Sequence, residues 1–411
     1  MHAFVRHGDR NLLVPLSYDP SIPSNGLLTQ KGKQVQSFLG REMQKLLTKD
    51  KVFDFVEQTH AELPDYRFMW NSTATMRTRD SIQAFTHGFF PDNWSIKTGG
   101  KNVFDRIVHP VYVYSTDSTS DYLLNIGFNC PNSMNILLTS ASGQKIEELK
   151  KKYKSEITTI FKLFKETETD DAKLLSLLDS VKVAHEIGAK MPEGFTDELY
   201  AIVLELRKTY FTTFIPFKDE KYCQINNAPL FTEIFFTDFE ADKKAIKDGS
   251  EYPKYRHYSC HDMNLQVLAG CLGFDTIVSE EPDYASILII EERIDDSHPL
   301  ENPRVLFKAN WHVDKNKEFT LTELTPAFCN GECTMKKLQE HYKSYNEALQ
   351  DHTAFLVNQC GLVAQTVTPT NVIAYLATGF IVICVGILAC LLAIILLLSD
   401  LCSQRRRSHR G

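Results

Sequence analysis

Two short segments carry side chains suited to holding and attacking an anion. RHGDR, at Arg6–Arg10, puts two guanidinium groups and an imidazole into one pentapeptide. A planar guanidinium matches phosphate or carboxylate oxygens bidentately, and an imidazole can serve as nucleophile or as acid and base. Gly8 at its centre would let a bound anion approach the backbone. The second segment, His261–Asp262, sets an imidazole beside a carboxyl group. Each has an ordinary reading on its own: RHGDR as a solvated charged loop, Asp262 as the cap of a helix starting at Met263.

Their positions relative to predicted elements unite them. Residues 2–6 read as a strand that ends at the first motif, and residues 255–259 as a strand that ends at the second. Open α/β sheets place ligands at such strand ends. Thr29 can cap a helix over residues 30–48, whose Val35, Phe38, Leu39, Met43, Leu46 and Leu47 share one face. Residues 66–70, 286–290 and 304–308 read as further strands, and 80–90 and 264–272 as helices. Residues 144–165 and 170–186 are rich in Lys and Glu, with apolar residues three and four apart, which predicts a helical insertion. The expectation is an α/β core formed by residues 1–114 and 248–345, interrupted by a mainly helical cap at 115–247.

The 411 residues carry a formal net charge of −7, with 43% hydrophobic and 24% charged residues. That balance excludes wholesale disorder and collagen-like chains, and mild acidity argues against nucleic acid as a partner. Residues 372–398 form an uncharged apolar run longer than the ~20 residues a membrane helix needs. Arg405, Arg406, Arg407 and Arg410 follow it, so the positive-inside rule makes 399–411 a cytoplasmic tail. Residues 346–371, with their TVTPTN stretch, then read as a juxtamembrane stalk. The resulting expectation is a single-pass type I membrane protein with its large domain lumenal or extracellular. MHAFVRHGDR holds no apolar export signal, so an N-terminal signal peptide is expected to be missing from this sequence; a tail-anchored protein with a cytosolic domain is the rival. Asn71 and Asn93 open glycosylation sequons. Cys329 and Cys333 flank a short Asn-Gly turn that suits a disulfide loop, whereas zinc would need further ligands that finger spacing does not supply.

Taken in order, RHGDR, LTQKG (Leu28–Gly32), STATMRT (Ser72–Thr78), His261–Asp262 and the Cys329/Cys333 pair resemble the histidine acid phosphatases, most nearly their membrane-anchored lysosomal and prostatic group. The resemblance covers about residues 1–345. It implies a phosphoglycerate-mutase-like core sheet with helices on both faces and a helical cap, to which the apolar run at 372–398 adds the expectation of a C-terminal transmembrane helix. It implies that His7 attacks phosphorus, that Arg6, Arg10, Arg77 and His261 hold the nonbridging oxygens, and that Asp262 protonates the leaving group. Arg79 is a rival to Arg77. Neither metal nor organic cofactor is implied. Disulfides are implied at Cys329–Cys333 and Cys130–Cys360, with Cys223, Cys260 and Cys271 left over.

The implied partner is a small phosphomonoester or a phosphoprotein, in a lysosome, an endosome or at the cell surface; a homodimer is left open. Two other readings share the fold: a phosphatase specialised for inositol polyphosphate or a phosphorylated sugar, and a non-catalytic surface binding protein. Asn11–Val14 before Pro15, Asn71, Ala74 and Ile287 depart from the family pattern and put substrate range and bridge pattern in question.

Overall fold

In β1 (His2–Arg6) every residue is buried, and alternate side chains enter different clusters. Ala3 and Val5 pack with Leu39, Met43, Ile82 and Phe85, whereas Phe4 packs with Phe231, Leu265 and Leu288. A strand buried on both faces belongs at the centre of a sheet covered by helices on each side. The computed structural model describes residues 1–52, 67–90, 97–98, 101–102, 111–125, 129–139, 141–167, 171–213 and 215–362.

The sheet contains β1, β2 (Phe68–Ser72), β3 (Val113–Tyr114), β4 (Tyr255–Cys260), β5 (Ile287–Arg293), β6 (Arg304–Asn310) and β7 (Thr322–Leu324), in the order β3-β2-β4-β1-β5-β6-β7. Strands β3, β2, β4 and β1 are parallel, and β5, β6 and β7 extend the sheet antiparallel. Helices α1 (Gln30–Lys49) and α2 (Met76–Phe89) pack together over one face. Thr29 caps α1 by accepting from the Gly32 amide at 3.0 Å, and it ties the helix to the first motif by donating its own amide to the Asp9 carbonyl at 2.9 Å.

Helices succeed one another from Pro131–Thr139 to Phe239–Asp248, including α3 (Asp171–Glu186) and α4 (Asp197–Thr213). Leu178, Val181, Val203 and Leu206 of α3 and α4 form a cluster that also takes in Leu12 and Leu16. The Asn11–Val14 insertion thus has a structural use: Leu12 anchors the loop after RHGDR to the cap. α5 (Asp262–Cys271) starts one residue earlier than expected, with His261 rather than Asp262 at the cap position.

Two expectations change. Among the described residues no helix is long and apolar enough to cross a membrane. This corrects the inclusion of a C-terminal transmembrane helix in the fold: the longest described helix, α1, carries Lys, Arg and Glu on its outer face and belongs to the α/β core, and residues 372–398 lie outside the described residues. Part of the expected stalk is also packed structure, since Phe355 and Cys360 are buried in the main core and the Cys130–Cys360 disulfide fastens that segment.

Candidate active site

Register brings the two motifs together. β1 and β4 pair with Arg6 opposite Cys260, so the chain leaves both strands at one level. His7 and His261 emerge side by side, with ring centroids 5.4 Å apart. β2 pairs with β4 with Ser72 opposite Ser259, which adds Thr73 to the same edge.

The hydrogen bonds assign protons to both rings. His7 Nδ1 lies 2.8 Å from the Gly8 carbonyl, which can only accept, so Nδ1 carries the proton and Nε2 keeps its lone pair. Burial, His261, Arg6 and Arg77 together hold the His7 pKa well below its ordinary value, so the ring is neutral. His261 Nδ1 lies 3.3 Å from Arg77 Nη2, a pure donor, which leaves the proton on Nε2 facing Thr73 Oγ1 at 3.0 Å. Burial, with Arg77 next, pushes the His261 pKa down to about 3.

Arg6 is 1% exposed. Its Nη2 lies 2.6 Å from Asp262 Oδ2, Nη1 donates to the Pro282 carbonyl and lies 3.7 Å from Glu281, and its guanidinium sits 4.3 Å from the centroid of the Tyr284 ring. Asp262 Oδ1 accepts from the Met263 amide at 2.9 Å. Burial favours the protonated acid, but Arg6 and Arg207 outweigh it and hold Asp262 well below the usual carboxylate range. Arg77, near the start of α2, has no carboxylate partner among the described residues; burial, then the nearby Arg10, lower its pKa to about 10. The Nε atoms of Arg6, Arg10 and Arg77 are buried without a hydrogen-bond partner. Buried donors left unmatched on three neighbouring cations are groups an anion would satisfy.

Gly8 has a different use from the one expected. A Cβ there would lie 2.6 Å from the Gly32 carbonyl oxygen, and one on Gly32 would lie 2.2 Å from the Asp9 carbonyl oxygen. The two glycines let α1 begin against the motif backbone, where the Gly8 amide also donates to Ser81 Oγ at 3.1 Å.

Residues 25–305 match the histidine phosphatase superfamily (branch 2). The chain belongs to that family.

No curated protein matches this histidine phosphatase by sequence. Among solved structures it is similar to the phytase from Citrobacter braakii, with a TM-score of 0.56 at 16% identity over 84% of this chain and 96% of that one. It is similar also to Klebsiella sp. ASR1 phytase, with a TM-score of 0.54 at 13% identity over 84% and 94%. Hafnia alvei phytase in complex with myo-inositol hexakis sulphate gives a TM-score of 0.53 at 13% identity over 83% and 95%. At these identities the likeness is one of fold.

In this histidine phosphatase Arg79 turns away, donating to Ser115 Oγ at 3.1 Å, while Arg77 faces His261. Arg10 does not point free into the site: its Nη2 binds Asp179 of α3. Arg207 of α4 donates to Glu281 and Asp179, and its Nη2 lies 3.9 Å from Asp262. Asp179, Arg207, Glu281, Tyr284 and Thr73 were not among the residues singled out from sequence. Thr73 lies inside the quoted STATMRT segment and could have been found there; Asp179 sits in the charged stretch 170–186 and Arg207 in the helix Asp197–Thr213, with nothing local to mark either. The structure joins Cys130 to Cys360, Cys329 to Cys333 and also Cys223 to Cys271, leaving Cys260 as a buried thiol pushed up by burial. Asn71 is half-buried in β2 between Tyr258 and Tyr114 rather than on a surface loop; Asn93 lies outside the described residues.

Proposed function

We propose that this chain hydrolyses phosphate monoesters through a phosphohistidine on His7. The observation that carries the reading is the His7–Gly8 bond, which leaves Nε2 unprotonated beside Arg6 and Arg77, with Arg10 next to Arg77. In the first step the Nε2 lone pair forms the N–P bond while the P–O bond to the leaving group breaks, and Asp262, which takes up a proton from solvent once the substrate's phosphate has drawn Arg6 away, gives that proton to the departing oxygen. Water then attacks phosphorus, Asp262 takes the water proton, and the N–P bond breaks to release inorganic phosphate. The guanidinium donors and His261 neutralise charge on the transferring group.

Asp262 is paired with Arg6 when no anion is bound. A phosphate that draws Arg6 to itself weakens the influence that lowers the Asp262 pKa most, and so readies the carboxyl to carry a proton.

Among phosphomonoesters we favour inositol polyphosphates over a general acid phosphatase range. Three phytases share the fold over more than four fifths of the chain, one of them holding an inositol hexakis sulphate. Three disulfides support work in an oxidising compartment, lumenal or extracellular. The test is phosphate release at acidic pH from inositol hexakisphosphate, from a sugar phosphate and from p-nitrophenyl phosphate, with His7→Ala as control. Release no greater than in the control for every substrate rejects the reading, and a preference for p-nitrophenyl phosphate rejects the substrate class.

A further inference from the structure

The cap inserts a carboxylate into the arginine cluster. Both oxygens of Asp179 accept from Arg10 Nη2, at 2.9 and 2.8 Å, and Oδ1 also accepts from Arg207 Nη1 at 2.9 Å. Arg10 Nη1 donates to the Asn11 carbonyl and its Nε has no partner among the described residues, so a phosphate that grips the Nε–Nη2 edge bidentately meets Asp179 at Nη2. Carboxylate and phosphate compete for the same guanidinium N–H edges. Burial opposes ionisation of Asp179, but Arg207 and Arg10 outweigh it and keep the group anionic.

A counterion that merely positioned the arginines would be the simpler explanation, and the contacts argue against it. Arg10 is held by its backbone bridge to Leu28 and by the burial of Leu12 in the cap cluster. Arg207 is held by three hydrogen bonds to Glu281, at 3.2, 3.1 and 2.8 Å. The Arg207 guanidinium therefore keeps its place without Asp179, and that of Arg10 keeps its Nη1 bond to the Asn11 carbonyl.

We propose that Asp179 is a built-in competitor for the phosphate subsite. To engage Arg10 Nη2 and Arg207 as well as the unmatched donors, a phosphate must take them from this carboxylate, so Asp179 sets how strongly anionic a ligand must be to bind fully and acts as a specificity-determining residue. Arg207, freed in the exchange, becomes a further phosphate ligand from the cap. The inference rests on the phosphatase reading above.

The test is calorimetric titration of inorganic phosphate into the full chain and into its Asp179→Asn and Asp179→Ala variants. Removing a charge-assisted competitor predicts binding tighter by on the order of tenfold in both variants. Unchanged or weaker binding in both overturns the proposal and makes Asp179 a positioning group. The variants lose a buried counterion, so thermal midpoints are read with and without saturating phosphate. A larger phosphate-induced rise in Asp179→Asn than in wild type supports the proposal, whereas variants that stay unfolded even in phosphate overturn it. Titration needs no turnover, so the two readings fail separately. Wild-type turnover that His7→Ala abolishes, together with weaker phosphate binding by Asp179→Asn, rejects this inference alone. A wild type that neither turns over substrate nor binds phosphate rejects the phosphatase reading.

Discussion

Arg6 and Asp262 form a 2.6 Å ion pair between the end of β1 and the first residue of α5. The pair joins the group assigned to hold phosphate with the group assigned to protonate the leaving atom. An anion that draws on Arg6 would therefore raise the proton affinity of Asp262 through one contact.

The leaving group should report that coupling. Asp262→Asn keeps the shape but cannot supply a proton, so hydrolysis of alkyl phosphates should fall by about 10²–10⁴-fold. p-Nitrophenyl phosphate, whose leaving group needs little protonation, should lose far less. Steady-state rates across a leaving-group series check this; a uniform loss contradicts the role given to Asp262.

Gly8→Ala should damage the site through the backbone. The new Cβ would meet the Gly32 carbonyl oxygen at 2.6 Å, and that oxygen belongs to a helix rather than to a flexible side chain. Relieving the clash should cost about 1–3 kcal/mol and lower turnover, because His7 adjoins the strained peptide. Urea denaturation and phosphate release test it together, and a variant equal to wild type in both contradicts the packing described.

Acid should destabilise the fold. His2, His7, His257 and His261 all lie below the ordinary histidine value, with burial the largest cause, and His257 and His261 fall to about 3. Below about pH 6.5 the unfolded chain takes up protons that the folded chain refuses, so stability drops as pH falls toward the folded values. Asp238 offsets part of this, because burial lifts its pKa to about 7 and the folded state then binds a proton first. His257→Phe should flatten the slope by about 1.4 kcal/mol per pH unit between roughly pH 6 and 4. Urea midpoints against pH decide it, and identical slopes in variant and wild type refute the assignment.

The Cys223–Cys271 bridge, with a sequence separation of 48, ties the C-terminal end of α5 to the helix Glu220–Thr232. Replacing both cysteines with alanine should cost about 2–4 kcal/mol, because the unfolded chain regains freedom. Equilibrium denaturation under non-reducing conditions measures the loss; an unchanged midpoint would show that core packing alone holds α5.

Much of the site's contiguous chemistry was legible because it is written locally. RHGDR and His261–Asp262 each follow a short buried strand, and Thr29 stands where a helix cap should. Likeness to a motif favours Arg77 over Arg79, and helical geometry turns the two residues toward different partners. Gly8 in the motif suggests room for an anion, and its close neighbour is the backbone of Gly32, a contact that no local pattern announces.

The candidate set of His7, His261, Asp262 and the arginines beside them could be picked out from the chain alone, with the strand ends on which they sit, because residue type and alternation are properties of short segments. How those groups are poised depends on contacts between distant segments. The opposition of Arg6 and Cys260 sets the spacing of the two imidazoles, the Gly8 carbonyl selects the His7 tautomer, and the cap delivers Asp179 and Arg207 from far along the chain. Those relationships depend on packing between distant elements, and a charged residue on a Lys/Glu-rich helix looks the same in sequence whether it faces water or a buried arginine.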